Sequence, residues 1–170
     1  VSFNGEFDWS PANHHLLISL ESVMEIKLRE IMREDMGGTY GVWMWTDPMH
    51  YPREEYEFNI VFGCSPENVD TLTSALFTQI DSLQSHGIDG EYVSKVQEKQ
   101  RQTRETDLKE NKFWLDELSG CYFHDVNPEK ILDYDLLIDR LTVPIIKQAA
   151  RDFLQTDNYV KVVLYPEVVD

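Results

Sequence analysis

The stretch Leu28–Trp45, LREIMREDMGGTYGVWMW, decides how this chain is read. Up to Met36 its apolar residues recur at helical spacing; after Gly38 they alternate. Alternation with a period of two marks a strand, and a spacing of three and four marks a helix. Gly37 and Gly38 stand between the two patterns, where glycine commonly ends a helix. A helix-to-strand junction therefore falls here, and the rest of the chain is read outward from it.

Upstream, Leu16, Leu20, Val23, Met24, Ile31 and Met32 predict one helix from Leu16 to Met36, with Pro11 suited to an earlier first turn. Before it, Val1, Phe3 and Phe7 alternate with polar residues in VSFNGEF, which predicts a strand. Downstream, Tyr40, Val42 and Met44 are expected on one strand face and Gly41, Trp43 and Trp45 on the other. Asp47 to Arg53 reads as a loop, and Tyr56, Phe58, Ile60 and Phe62 alternate in a third strand. Such alternation implies one polar face, so the sheet is expected to be antiparallel.

Ser65-Pro66-Glu67 predicts a helix start, with serine as N-cap. Val69, Leu72, Leu76, Ile80 and Leu83 mark its buried stripe, and Gly87 its end. A long helix is expected from about Asp89, polar in the middle, with Phe113, Trp114, Leu115 and Leu118 returning to the core. Asn127-Pro128 starts a shorter helix through Leu137, and Thr142 caps another. Tyr159 to Tyr165 reads as a last strand. The order β-α-β-β-α-α-α-α-β predicts an α+β domain of two layers, with helices on one face of an antiparallel sheet of about four strands.

The 170 residues suit a single domain, and 42% hydrophobic residues suffice for a core. A net charge of −16 opposes binding to nucleic acid or an anionic membrane, because phosphates would be repelled. No apolar run reaches the length of about 18 residues that a membrane span requires. The N-terminus carries no basic and apolar leader pattern and begins inside a strand, so the chain reads as part of a longer protein. Cys64 and Cys121 have no metal spacing; two thiols are expected, with a disulfide as the alternative.

Five histidines occur, at 14, 15, 50, 86 and 124, and none builds HExxH or HxxEH. His14 and His15, adjacent at a helix start, are expected to be satisfied at the surface or in capping. His124-Asp125 is a poor base and orienter, since sequence neighbours rarely have that geometry. No GxSxG, Walker loop, GxGxxG or CxxC appears. Gly37-Gly38 sits at a helix C-terminus, the wrong end for phosphate. The basic residues between Lys95 and Lys112 read as partners of Glu91, Glu98, Glu105 and Glu110 on a solvated helix. Trp43 and Trp45 share a strand face, which points to core or interface packing; exposed, they would indicate a peptide groove or a domain contact. Arg33 and Tyr40 flank the double glycine. Taken singly, they are a surface arginine near a helix end and a strand tyrosine. Taken together, they are two hydrogen-bond donors able to hold a carbonyl oxygen or an oxyanion.

LREIMREDMGGTYGVWMW, FNIVFGCSPENVDTL, LQSHGIDGEYVSKVQEKQ and the closing LTVPIIKQAARDFL…YVKVVLYPE together resemble the pitrilysin/insulinase family of zinc metallopeptidases, the inverzincins, and most closely its bacterial branch of large, four-domain chains. The resemblance covers essentially the whole chain. It implies a pitrilysin/mitochondrial-processing-peptidase-like fold and a clamshell enzyme whose N-terminal half carries HxxEH, a further glutamate ligand and the zinc. Residues 1–170 would be its last, C-terminal, metal-free domain, short of one or two N-terminal strands and so left with an unpaired sheet edge. The family's substrate-holding arginine and tyrosine fall on Arg33 and Tyr40; Arg29 does not fit that spacing. No catalytic or metal-binding residue is expected in this chain. The implied partners are the catalytic half of the same polypeptide and a peptide substrate, and the bacterial branch implies export, for example to the periplasm. A non-catalytic relative of the family is the alternative, and a free-standing small-ligand module a third reading.

Overall fold

A computed structural model describes residues 1–167. Its sheet has four strands in the order β2-β3-β1-β4, every neighbouring pair antiparallel. β1 (Ser2–Glu6) is central, β2 (Val42–Met49) and β3 (Glu55–Phe62) form a hairpin, and β4 is Tyr159–Val160. Phe3, Val42, Tyr56, Phe58 and Ile60 are buried on one sheet face. Trp43, Trp45, Asp47, Glu57 and Val61 point the other way, into solvent. The sheet is thus covered on one side only, as the alternation predicts.

Helix α1 (Pro11–Leu28) lies on that buried face through Leu17, Leu20, Met24 and Leu28. Its start is set by Ser10, whose hydroxyl accepts from the Asn13 N–H, with Pro11 in the first turn. Helix α2 (Val69–His86) adds Leu72, Leu76 and Ile80, and α6 (Val143–Phe153) adds Ile146, Ala149 and Ala150 to the same core. α3 (Gly90–Asp107) adds Val93 and Val96, with Tyr92 packed half-buried against the core. Two glutamines close helix ends: Gln84 donates to the carbonyls of Ala150 and Leu154 at the end of α6. Gln97 does the same for Ile138 and Leu141 at the end of α5 (Tyr134–Arg140). Each satisfies the carbonyl just past the helix end, Leu154 or Leu141, and adds a second donor to Ala150 or Ile138, which also accept from the Leu154 and Leu141 N–H groups.

Several expectations are corrected. The helix expected to run to Met36 is α-helical only to Leu28; Arg29–Asp35 forms a π-helical segment, closed by Met36 N–H to Ile31 C=O. The long helix after Asp89 breaks at residues 108–110. There Lys109 and Glu110 turn back onto Thr106 and Asp107, and the Trp114 indole donates to the Leu108 carbonyl. The second piece, α4 (Asn111–His124), leaves Leu115 66% and Leu118 38% exposed instead of in the core. Residues 128–133 are 3-10 helix before α5 begins. Neither Ser65 nor Thr142 makes a capping bond through its side chain, and a 3-10 turn precedes α2. The last strand, expected over Tyr159 to Tyr165, is only Tyr159–Val160, paired with Phe3 and Ser2.

Candidate functional site

The double glycine does two different things. Gly37 takes φ 59°, in the left-handed region where side chains are strained, and so turns the chain out of the π segment. Gly38 lets the backbone approach α2: a Cβ there would lie 2.8 Å from a methyl of Leu72. Thr39 then locks the turn. Only 8% exposed, its hydroxyl lies 2.7 Å from the Gly63 carbonyl and 2.9 Å from the Gly41 carbonyl, and accepts from the Gly41 N–H at 3.2 Å. The junction before β2 is thereby tied to the segment after β3.

On this junction Arg33 and Tyr40 are both exposed, Tyr40 at 92%. β2 begins only at Val42, so Tyr40 does not share the buried face of Val42 and Met44, as the alternation would have it. The two side chains make no hydrogen bond to each other and no ion pair among the described residues. Arg29 differs: its guanidinium pairs with Glu25 at 2.7 Å. Of the two arginines, Arg33 alone keeps its donors for an outside group. The π segment itself is anchored, since the Tyr92 hydroxyl donates to Glu30 and accepts from Lys27 at 3.2 Å.

Trp43 and Trp45 are 56% and 50% exposed on the open sheet face. The Trp43 ring folds back over Gly41, where a Cβ would meet it at 3.2 Å, so this indole stands beside the Tyr40 turn. They are the exposed pair that indicates a groove or a domain contact.

The remaining chemistry-bearing residues lie elsewhere. His15 is a core histidine, not a surface one: Nε2 lies 3.1 Å from Gln100 Oε1, Gln100 donates to Ser19, and Ser19 donates to the His15 carbonyl. Burial lowers its pKa from the usual histidine value, against the raising effect of Gln100. Asp125 is no orienter for His124; it takes φ 55° and terminates α4. His124 instead meets His50 of the β2–β3 loop and Trp9, a cluster brought together from positions so far apart that no sequence pattern announces it. Cys64 and Cys121 are free thiols, with pKa raised by burial.

Among the described residues, no group of three or more His, Cys, Asp or Glu converges as a metal site. Zinc therefore does not fit the residues present. No described helix is long and apolar enough to cross a membrane.

Comparison with known proteins agrees with this fold. The family described as the peptidase M16 inactive domain matches residues 9–100, more than half of the chain. A probable zinc protease PqqL of Haemophilus influenzae is 26% identical over 146 residues, which cover 84% of this chain and 16% of that protein. An Arabidopsis thaliana protein named zinc protease PQQL-like is 25% identical, over 90% of this chain and 18% of its own length. The chain thus spans less than a fifth of these relatives. The periplasmic protease PqqL of Escherichia coli superposes with a TM-score of 0.75 at 15% identity, over 90% of this chain and 17% of that one. A peptidase M16 inactive domain from Pseudomonas fluorescens gives 0.74 at 19% identity, over 97% of this chain and 42% of that one. The family match over half the chain and the shared fold lead to one conclusion: this chain belongs to the peptidase M16 inactive domain family.

Proposed function

We propose that this chain is the C-terminal, metal-free domain of a longer zinc metalloendopeptidase, where it closes the proteolytic chamber and holds the peptide substrate. One observation carries the reading: Arg33 and Tyr40 offer unengaged donors from a turn fixed by Gly38, Thr39 and Leu72. Donors that are positioned before the substrate arrives stabilise developing charge without reorganising during the reaction. The guanidinium holds a carbonyl oxygen through two N–H groups, and the phenol adds a third donor. Trp43 and Trp45 extend the same surface with apolar area for substrate side chains. The zinc, its activated water and the general base are assigned to the N-terminal half of the same polypeptide. The likeness to a protein described as periplasmic supports export of the whole enzyme.

The test uses the full-length protein. Arg33→Ala and Tyr40→Phe should each lower kcat/KM for peptide cleavage by ~100- to 1000-fold, the usual cost of losing one such donor, with zinc content unchanged. Unchanged kcat/KM in both variants overturns the assignment. The alternative, a binding or structural member without catalysis, is separated by one observation: whether an HxxEH helix precedes this domain.

A further inference from the structure

Three elements meet at two histidines. His50 comes from the end of the β2–β3 hairpin, His124 from the last turn of α4, and Trp9 from the segment before α1. Trp9 stacks on both imidazoles, 4.4 Å from His50 at 5° and 4.1 Å from His124 at 20°. Tyr51 stacks on the other side of His50 at 4.1 Å, and Phe123 stands edge-on to Tyr51.

The Nδ1 atoms of His50 and His124 are 3.0 Å apart, and the ring centroids 5.2 Å. The second distance is close to the first lengthened by one ring radius at each end. The two nitrogens therefore point straight at each other, which is the geometry of an N–H···N hydrogen bond. Two imidazoles chelating a metal would instead converge at an angle on a third point.

Such a bond holds one proton. The Nε2 of His50 lies 3.4 Å from the Glu54 carboxylate, and the tautomers of the two rings decide which of them donates across the Nδ1···Nδ1 contact. A first added proton is accommodated. It makes an imidazolium beside an imidazole, still with a single N–H between them, and Glu54 faces the new charge. A second proton is not, because two N–H groups would then oppose each other at 3.0 Å between two like charges. Burial and the charge of His50 both hold the His124 pKa below the usual histidine value. The other ionisable groups near His124 line the cavity between α1, α4 and the segment after it: His14 and His15 on α1, Asp116, Glu117 and Cys121 on α4, Lys130 on the 3-10 segment and Tyr134 at the start of α5. His14 and His124 repel when charged, which adds to the cost of full protonation.

We propose that the His50–His124 pair is a two-proton latch: it fastens the C-terminal end of α4 to the β2–β3 hairpin and to Trp9, survives the first protonation, and opens on the second. Opening frees a helix end whose Leu118, Tyr122 and Phe123 are already exposed at 38%, 81% and 65%. The latch is independent of the peptidase assignment, since Arg33 and Tyr40 take no part in it.

Hydrogen exchange on this chain tests it, with rates corrected for the pH dependence of intrinsic exchange, over roughly pH 5 to 8 where histidines titrate. Amides of residues 119–126 should lose about tenfold in protection per pH unit below the second step, while α6 does not change in parallel. His124→Phe keeps a ring for Trp9 to stack on and removes the pair, so the pH step should vanish. Imidazole nitrogen shifts of the pair should show two separate protonation steps in the wild type, and that coupling should be gone in the variant. Should His124→Phe fail to fold, His50→Phe serves the same purpose. Protection that is independent of pH in the wild type, or the same step retained in the variant, overturns the proposal.

Discussion

Replacing Thr39 by valine removes one oxygen and nearly preserves the side chain's shape, so it isolates the hydroxyl that locks the Tyr40 turn. The hydroxyl has a single proton, given most closely to the Gly63 carbonyl at 2.7 Å, and it accepts from the Gly41 N–H at 3.2 Å. Two hydrogen bonds are therefore lost, each worth a net 0.5–1.5 kcal/mol, or about 2 kcal/mol together. Gly63 is exposed and its carbonyl can turn to water, which keeps the loss from rising further. A loss of ~2 kcal/mol corresponds to a fall of about 4–8 °C in Tm for a chain of this size. Urea denaturation followed by tryptophan fluorescence measures it, with the slope against denaturant unchanged. Thr39→Ser keeps the hydroxyl and loses only a buried methyl, so it should cost about 1 kcal/mol, less than the valine variant. If valine and serine variants were equally stable, the hydroxyl would not be the lock, and the fixed placement of Tyr40 would lose its support.

Gln84→Leu should cost ~1–3 kcal/mol by stripping the Leu154 carbonyl of its donor and Ala150 of its second one; a melting temperature equal to the wild type's would show that water replaces it. Gly38→Ala should cost ~1–3 kcal/mol because its Cβ presses on the fully buried Leu72, and Gly37→Ala ~1–2 kcal/mol from backbone strain alone. Truncating Leu72 to alanine should abolish the extra cost at Gly38 and leave that at Gly37, as a double-mutant cycle will report. For pH, burial lowers the pKa of His15 in the folded state, so folding favours its neutral form. Its stabilisation is complete above about pH 6.5, the unfolded value, and is lost as pH falls through the lower folded value, at up to ~1.4 kcal/mol per pH unit. Urea midpoints should therefore fall on acidification, and less so in His15→Phe; an equal fall in both would remove His15 from the account.

The parts of the fold that follow from local pattern were legible in the chain. Tyr56, Phe58 and Ile60 alternate and are buried on one sheet face, and Leu72, Leu76 and Ile80 line α2. What escaped depends on partners distant in sequence. The last strand pairs with β1 through Tyr159 and Val160 alone, a fact about pairing that its own residues do not carry. The break before α4 has no glycine or proline to mark it, and is held by Trp114 reaching back to Leu108. Tyr40 continues the alternation of Val42 and Met44, yet the turn locked by Thr39 carries it out of the strand. At the site, the spacing of Arg33 and Tyr40 and the resemblance drew attention to the right turn. That Arg29 is occupied by Glu25 while Arg33 is not emerges only from the side chains. The histidine pair joins residues 50 and 124 over a tryptophan at position 9, beyond the reach of any motif.

β2 lies at the sheet edge, with eight residues and one side without a partner strand among the described residues. Asp47 and Pro48 protect its second half, as charges and prolines do on exposed edges. Its first half, Val42 to Thr46, has neither, and carries both exposed tryptophans. The net charge of −16 opposes contact between copies of the isolated domain, a long-range repulsion that salt shortens to about 8 Å at physiological ionic strength. Its colloidal behaviour should therefore run opposite to that of a protein held together by ion pairs: dispersed in dilute buffer, and prone to edge-to-edge association as salt is added.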